Sequence, residues 1–287
     1  EGWGQDRVLL AGAEGLGAAI RLAFDTAVPE DKAQKAQQLF ASLPDYGTFC
    51  GTIRPIKLAD RPGRPDRPEL KPPRLVPRRR ISKHPKGRIA LLHAIAHIEL
   101  NAIDLALDMA IRYADQNMPF DFVHDWLSVA ADEGRHFMLL SDRLKALDSY
   151  YGALDAHDGL WEAALKTKDD LLARLAIAPL VLEARGLDIT PQLITKMEQA
   201  EDSPSAQIFH IIMTDEVRHV AVGKKWFDYV CGCERRDPIS TWQMLVTRYF
   251  NGALKPPFNI DARNAARFSA AFYGPLAAAQ AKGEMLV

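Results

Sequence analysis

The stretches ADEGRHFMLL (131–140) and TDEVRHVAVG (214–223) decide the fold. Each contains D-E-x-R-H: Asp132, Glu133, Arg135 and His136 in the first, and Asp215, Glu216, Arg218 and His219 in the second, 83 residues further on. On a helix, residues i and i+3 lie about 60° apart and project from one face. Glu133 and His136 therefore point the same way, as do Glu216 and His219. Around the first pair run Trp126, Val129, Ala130, Phe137, Leu140 and Leu144; around the second run Phe209, Ile212, Met213, Val220 and Phe227. Both sets recur every three to four residues, so each Glu–His pair sits inside an apolar stripe. An uncompensated buried carboxylate is strongly destabilising. That tells against two solvated helix faces and for two halves that share one object.

Two more helical stretches carry a Glu in apolar surroundings. Glu99 lies in LLHAIAHIELNAIDLAL, with Leu92, Ile95, Ala96, Ala102, Ile103 and Ala106 near its face. Glu183 lies in AIAPLVLEARGLDI, flanked at helical spacing by Ala176, Leu180 and Leu187. The order is Glu, E-x-x-H, Glu, E-x-x-H, with Glu-to-Glu steps of 34, 50 and 33 residues. The first and last steps nearly match, and IELNAID parallels LEARGLD, with Glu and Asp in the same places. This implies two related helix pairs about a pseudo-twofold axis. Four helices would then bring four carboxylates and two imidazoles together. Carboxylates that close cannot all ionise without cations; two divalent ions would cancel their charge. A mixed carboxylate–imidazole set suits iron or manganese, alone or mixed, with zinc as a further option. The same ligand order is found in carboxylate-bridged dimetal bundles.

The rest of the chain is read around this core. At 287 residues, 48% hydrophobic and 25% charged, it can bury a substantial interior. A net charge of −1 provides no global field for nucleic acid or membrane. No apolar run is read as reaching the roughly 18–20 residues of a membrane span. The start, EGWGQDRVLLAGAEGLGAAI, has no basic leader ahead of its apolar stretch, so a secretory signal is not expected. Cys50, Cys231 and Cys233 make an odd count, which suits a reducing cytoplasm, and the C-G-C at 231–233 lacks the spacing of structural zinc.

Residues 54–88 hold 13 Lys/Arg against 3 Asp/Glu and contain eight prolines, which leaves −11 for the remainder. Proline excludes a regular helix here and favours an extended arm. The arm could grip a polyanion such as tRNA; the charge partition favours its lying along the acidic body of its own protein. Helices are expected at 31–43, 88–114, 120–148, 168–187, 204–230 and 261–282, with shorter ones at 158–166, 191–201 and 239–250. Thr190-Pro191 and Ser203-Pro204 read as helix starts. GAEGLG has no flanking strand and is not a dinucleotide loop. The fold class is all-α. Its parts are an N-terminal helical segment (1–53), the arm (54–87), a four-helix bundle (88–232) and a C-terminal helical extension (233–287). His93 and His97 lie off the face of Glu99 and read as core or hydrogen-bonded histidines. His210 is likewise off the ligand face, and His157 either caps a helix or reaches the pocket. The aromatic and basic run WQMLVTRYFNGALKPPF reads as packing of an extra helical layer.

The stretches HAIAHIELNAIDLALD, DEGRHFMLL, HDGLWEAAL, LEARGLDITP, TDEVRHVAVGKKWF and PPFNIDARNAARF resemble the ferritin-like superfamily, and more narrowly its bacterial domain-of-unknown-function family 455. The resemblance implies a ferritin-like dimetal bundle with flanking helices. It implies Glu99, Glu133, His136, Glu183, Glu216 and His219 as ligands of two iron ions, with Glu133 and Glu216 bridging. It further implies that Asp132 orients His219 and Asp215 orients His136, with Arg135 and Arg218 in the same layer behind the ligands. The resemblance gives a site rather than a reaction; the reading adopted for that site is an O₂- or peroxide-dependent oxidase or hydroxylase acting on an unidentified small organic substrate, fed by an external electron donor. The alternatives are an iron-handling or peroxide-scavenging protein and a metal-stabilised module without turnover; a dimer is compatible with each. Leu140 stands where radical-bearing reductase subunits keep a Tyr, and Gly186-Leu187 where hydroxylases often have a Thr. Gly186 in that place leaves space for a ligand.

Overall fold

The computed structural model describes residues 13–43, 56, 58–72, 75–76, 85–113, 116 and 118–283. The protein is all-α: among these residues the only β pairing is an isolated bridge between Leu70 and Ala156. The chain forms two compact units, residues 1–161 and 162–287.

The first unit contains α1 (Ala13–Asp25), α2 (Pro29–Ala41), α3 (Pro85–Arg112) and α4 (Phe120–Lys145). Helix α3 is long because no Gly or Pro occurs from Arg88 to Arg112, and nearly its whole C-terminal two-thirds is buried. By length and mean hydropathy α3 matches a membrane span despite Glu99, Asp104 and Asp108, contrary to the sequence reading; 78% of its most apolar window is buried inside the fold, as in a core helix. Helix α4 returns along α3 after a short connection. Glu99 lies 13 residues before the end of α3 and Glu133 lies 13 residues after the start of α4. An antiparallel hairpin therefore brings the two glutamates level.

The second unit contains α6 (Leu171–Ile177), a π-helical segment (Ala178–Glu183), α7 (Ala184–Gln199), α8 (Ser203–Cys233), α9 (Pro238–Tyr249), α10 (Ile260–Ala265) and α11 (Ala270–Lys282). The chain enters it through α5 (Gly159–Lys166). Helices α7 and α8 form its hairpin, and α9 packs on α6 and α11.

Several expected boundaries move, each for a local reason. Thr190-Pro191 does not start a helix: α7 runs through Pro191, held by the buried Leu187, Ile194 and Met197 on one face. The cap of α8 is Asp202, whose Oδ1 accepts from Ser205 N at 3.1 Å; Ser203 and Pro204 are its first two residues. There Pro removes an N–H that has no intrahelical partner. The expected helix 261–282 is two, divided at a turn where Arg267 has φ 58° and Phe268 N returns to Arg263 O at 2.8 Å. Helix α1 lies in the expected N-terminal helical segment but is not one of the helices placed there by sequence, because its glycines obscure an apolar stripe of Leu16, Ile20, Ala23 and Phe24.

The described part of the basic arm is extended and lies on its own unit, in keeping with the charge partition. Arg61 pairs with Asp158 at 2.5 Å and Lys71 with Asp155 at 2.6 Å. Trp161 Nε1 donates to Asp60 O at 2.9 Å, and Gly63 N donates to Phe24 O at 3.0 Å. The exposed ion pairs contribute little individually; the buried backbone contacts fix the path. Residues 77–84, with the Arg78–Arg80 run, lie outside the described residues, as do Cys50 and the first twelve residues.

Gly63 tests this docking. A Cβ there would lie 2.1 Å from Asp25 O. Gly63→Ala should lower stability by about 1–3 kcal/mol in denaturant melts and open new protease cleavage between residues 58 and 72. An unchanged melt and digestion pattern would mean the arm is not seated there.

Candidate metal centre

In the first unit, Glu99 on α3 and Glu133 and His136 on α4 converge. His136 Nδ1 lies 3.3 Å from Glu99 Oε2 and 3.3 Å from Glu133 Oε2. Donor atoms of all three lie within 4.8 Å of one another. Glu133 and His136 are fully buried and Glu99 is 3% exposed. One imidazole can balance at most one carboxylate charge. Burial, then the charge of Glu133, pushes the Glu99 carboxyl well above the usual carboxylate range, and His136 only partly opposes this. Two buried carboxylates and an imidazole form an oxygen–nitrogen donor set that suits iron, manganese or zinc. The group can hold a metal ion.

In the second unit, Glu216 and His219 are buried on α8, with His219 Nδ1 3.8 Å from Glu216 Oε1. Glu183 is half-buried and closes the π-helical segment. The segment follows from Pro179, whose missing N–H removes an ordinary helical hydrogen bond. Gly223, four residues beyond His219, lets α8 approach that proline; a Cβ there would lie 2.3 Å from Pro179 Cβ. Wide turns of this kind recur at functional sites. The sequence reading did not find this one, although a proline four residues before Glu183 was its available signal.

Asp132 and Asp215 are half-buried, and Arg135 and Arg218 are exposed. Arg135 Nη2 turns back to Asp132 Oδ1 at 3.4 Å. The other histidines have separate roles. His93 Nε2 accepts from Gly152 N at 2.9 Å, which places the proton of the neutral ring on Nδ1. His97 contacts Tyr151 Oη at 2.8 Å and His157 O at 3.0 Å. Burial, then the neighbouring Arg64, lowers the His97 pKa to about 3, so it is a neutral core residue. His157 Nδ1 accepts from Gly159 N at 3.2 Å and thus caps α5, while His210 is exposed, 3.9 Å from Glu198. Of the C-G-C pair, Cys231 is buried, with its thiol pushed up to about 11 chiefly by burial, and Cys233 is exposed.

A family model described as "Protein of unknown function (DUF455)" matches residues 25–274. A Haemophilus influenzae protein described as uncharacterized is 38% identical over 264 residues, which is 87% of this chain and 89% of its own length. No solved structure matches.

The raised Glu99 pKa has a signed consequence for the metal-free chain. Above the ordinary carboxylate pKa, the folded state retains a proton that the unfolded state has lost, so stability falls as pH rises. Denaturant melts of the metal-free chain should therefore lose stability from about pH 5 upward, by at most about 1.4 kcal/mol per pH unit for this group. Glu99→Gln should flatten the profile. A Gln variant with the wild-type slope would assign the effect to another residue.

Proposed function

The chain belongs to the DUF455 family, and from that premise we propose a ferritin-like dimetal protein whose ligands are Glu99, Glu133, His136, Glu183, Glu216 and His219. The observation that carries this reading is the buried Glu99–Glu133–His136 cluster, with donor atoms within 4.8 Å. The repeated Glu–x–x–His on α8 supports a matching second half. Two ions, iron or a mixed iron–manganese pair, balance the four carboxylates. When bound they supply redox chemistry toward O₂ or peroxide, directed at a small organic substrate, with electrons from an external donor.

The chain's own residues hold the donors and shape the site. Glu133 and Glu216 would hold the ions between the two halves, and Glu99 would give up the proton that burial favours on it. By the family resemblance, Asp132 and Asp215 would orient the rings of His219 and His136, which would fix their tautomers. Val129, Ala130, Phe137 and Leu140 are fully buried along α4 and keep water from the first half.

Anaerobic Fe(II) titration tests the reading. About two equivalents should bind per chain, and exposure to O₂ should change the Mössbauer spectrum and consume O₂. Glu133→Ala should bind no more than about one equivalent. A wild-type chain that takes up no iron, manganese or zinc would end the dimetal reading. Tight binding without O₂ uptake would favour the metal-stabilised module, and turnover of iron alone would favour iron handling.

A further inference from the structure

The two ligand-bearing helices share more than their glutamates. In IELNAID and LEARGLD the residues two and five after the Glu are Asn101 and Asp104 in one, and Arg185 and Asp188 in the other. These positions lie about 200° and 140° around the helix from the Glu, on its back. In both units a flanking segment grips that back.

In the first unit the grip comes from α2 and the basic arm. Asp104 is fully buried and ion-paired with Lys32 Nζ, and Arg64 Nη2 lies 3.0 Å from Asp104 Oδ2. The same guanidinium donates to Asn101 Oδ1 at 2.7 Å. Lys32 Nζ also donates to Gly63 O at 2.8 Å and Phe24 O at 3.1 Å, which ties the arm to α1.

In the second unit the grip comes from the C-terminal extension. Arg263 meets Asp188 fork to fork, Nε to Oδ1 at 2.9 Å and Nη2 to Oδ2 at 2.8 Å. Asn259 N donates to Asp188 Oδ1 at 2.9 Å. Arg185 Nη1 donates to Lys255 O at 2.7 Å. The guanidinium of Arg263 is held between Phe258, Phe268 and Tyr273, at 5.0, 5.5 and 4.4 Å from their ring centres. The two gripping segments are unrelated in sequence and chain position, yet each engages the residues two and five after a ligand-helix glutamate.

We infer that Asp104 and Asp188 are equivalent positioning residues, which set the rotation of α3 and α7 and so the direction of Glu99 and Glu183. The need is greatest at Glu183. It ends a π-helical segment, whose wider turns do not impose the phase that i to i−4 bonding gives an α-helix. The Asp188–Arg263 fork restores that phase five residues on. The basic arm has the same task for Glu99, so its Arg64 serves the protein's own interior. The effect on metal rests on the dimetal reading; the effect on helix order does not.

Hydrogen exchange of the metal-free full chain, followed by mass spectrometry, decides the matter. Asp188→Asn should speed exchange of residues 182–190 about tenfold and leave 98–106 within about twofold of wild type. Asp104→Asn should do the reverse. Should either not fold, Arg263→Lys, which keeps the charge but loses the fork, and Arg64→Gln, whose side chain is only 18% exposed, stand in. Wild-type exchange at both ligand turns in folded variants would overturn the proposal. Mn(II) electron paramagnetic resonance adds a readout that general destabilisation does not move. The wild-type chain should give an exchange-coupled pair and each variant an uncoupled ion, at a temperature where the variant's melt shows it fully folded. A coupled pair of wild-type affinity in the variants would also overturn it. If the wild-type chain takes no manganese, the dimetal reading fails and the exchange result alone decides the positioning role.

Discussion

Two carboxylates buried within hydrogen-bonding range of a single imidazole are the constraint on which the first unit depends. Glu99 and Glu133 repel, both are out of water, and His136 offers at most one compensating charge. In a metal-free chain, burial and the charge of Glu133 favour a proton on Glu99. A bound cation would meet the same constraint by replacing the proton. The surrounding structure makes either solution possible. The i, i+3 spacing on α4 aims two donors together, the matched distances from the hairpin connection bring Glu99 level with them, and the apolar residues around them remove water. Such an arrangement lowers the stability of the empty fold in return for donors already in place.

The parts of this design legible in sequence were those that repeat at helical period. Apolar stripes around the four glutamates gave the helices, and the E-x-x-H spacing gave the side-chain faces. The π-helical segment was not legible in the same way, because apolar residues from Ala176 to Leu187 fit an α-helix as well as a π turn. Only the missing N–H of Pro179 separates them. Thr190-Pro191 shows the converse: a good start signal was overridden because Leu187, Ile194 and Met197 gain more from continuing one buried face than the chain gains from a new cap. His93 and His97 were placed off the ligand face by angle alone, but their partners Gly152, Tyr151 and His157 come from 54 to 60 residues away and carry no local signal.

Charge partition was legible in total and opaque in detail. An excess of positive charge in the arm against −11 elsewhere pointed to self-docking. It could not say which cations would be solvated and which buried. Arg61 stays largely exposed beside Asp158, whereas Lys32, from outside the arm, is fully buried between the carbonyls of Phe24 and Gly63 and the carboxylate of Asp104. A buried ion pair adds little net stability over apolar packing. Its value lies in direction: one of the three oxygens that Lys32 Nζ meets is Gly63 O of the arm, so the full set is present only with the arm in place.

The same reasoning explains why the two repeats keep Asp and vary the residue two after Glu. An Asp on the back of the helix accepts from any cation that reaches it, so Lys32, Arg64 and Arg263 serve alike although they come from three different segments. The neighbouring position must instead match the polarity of what lies over it. Under the Arg64 guanidinium it must accept, and Asn101 offers a carbonyl; under the Lys255 carbonyl it must donate, and Arg185 offers an N–H. Opposite polarity at that position is what two such helices need when different ends of the chain supply their backing.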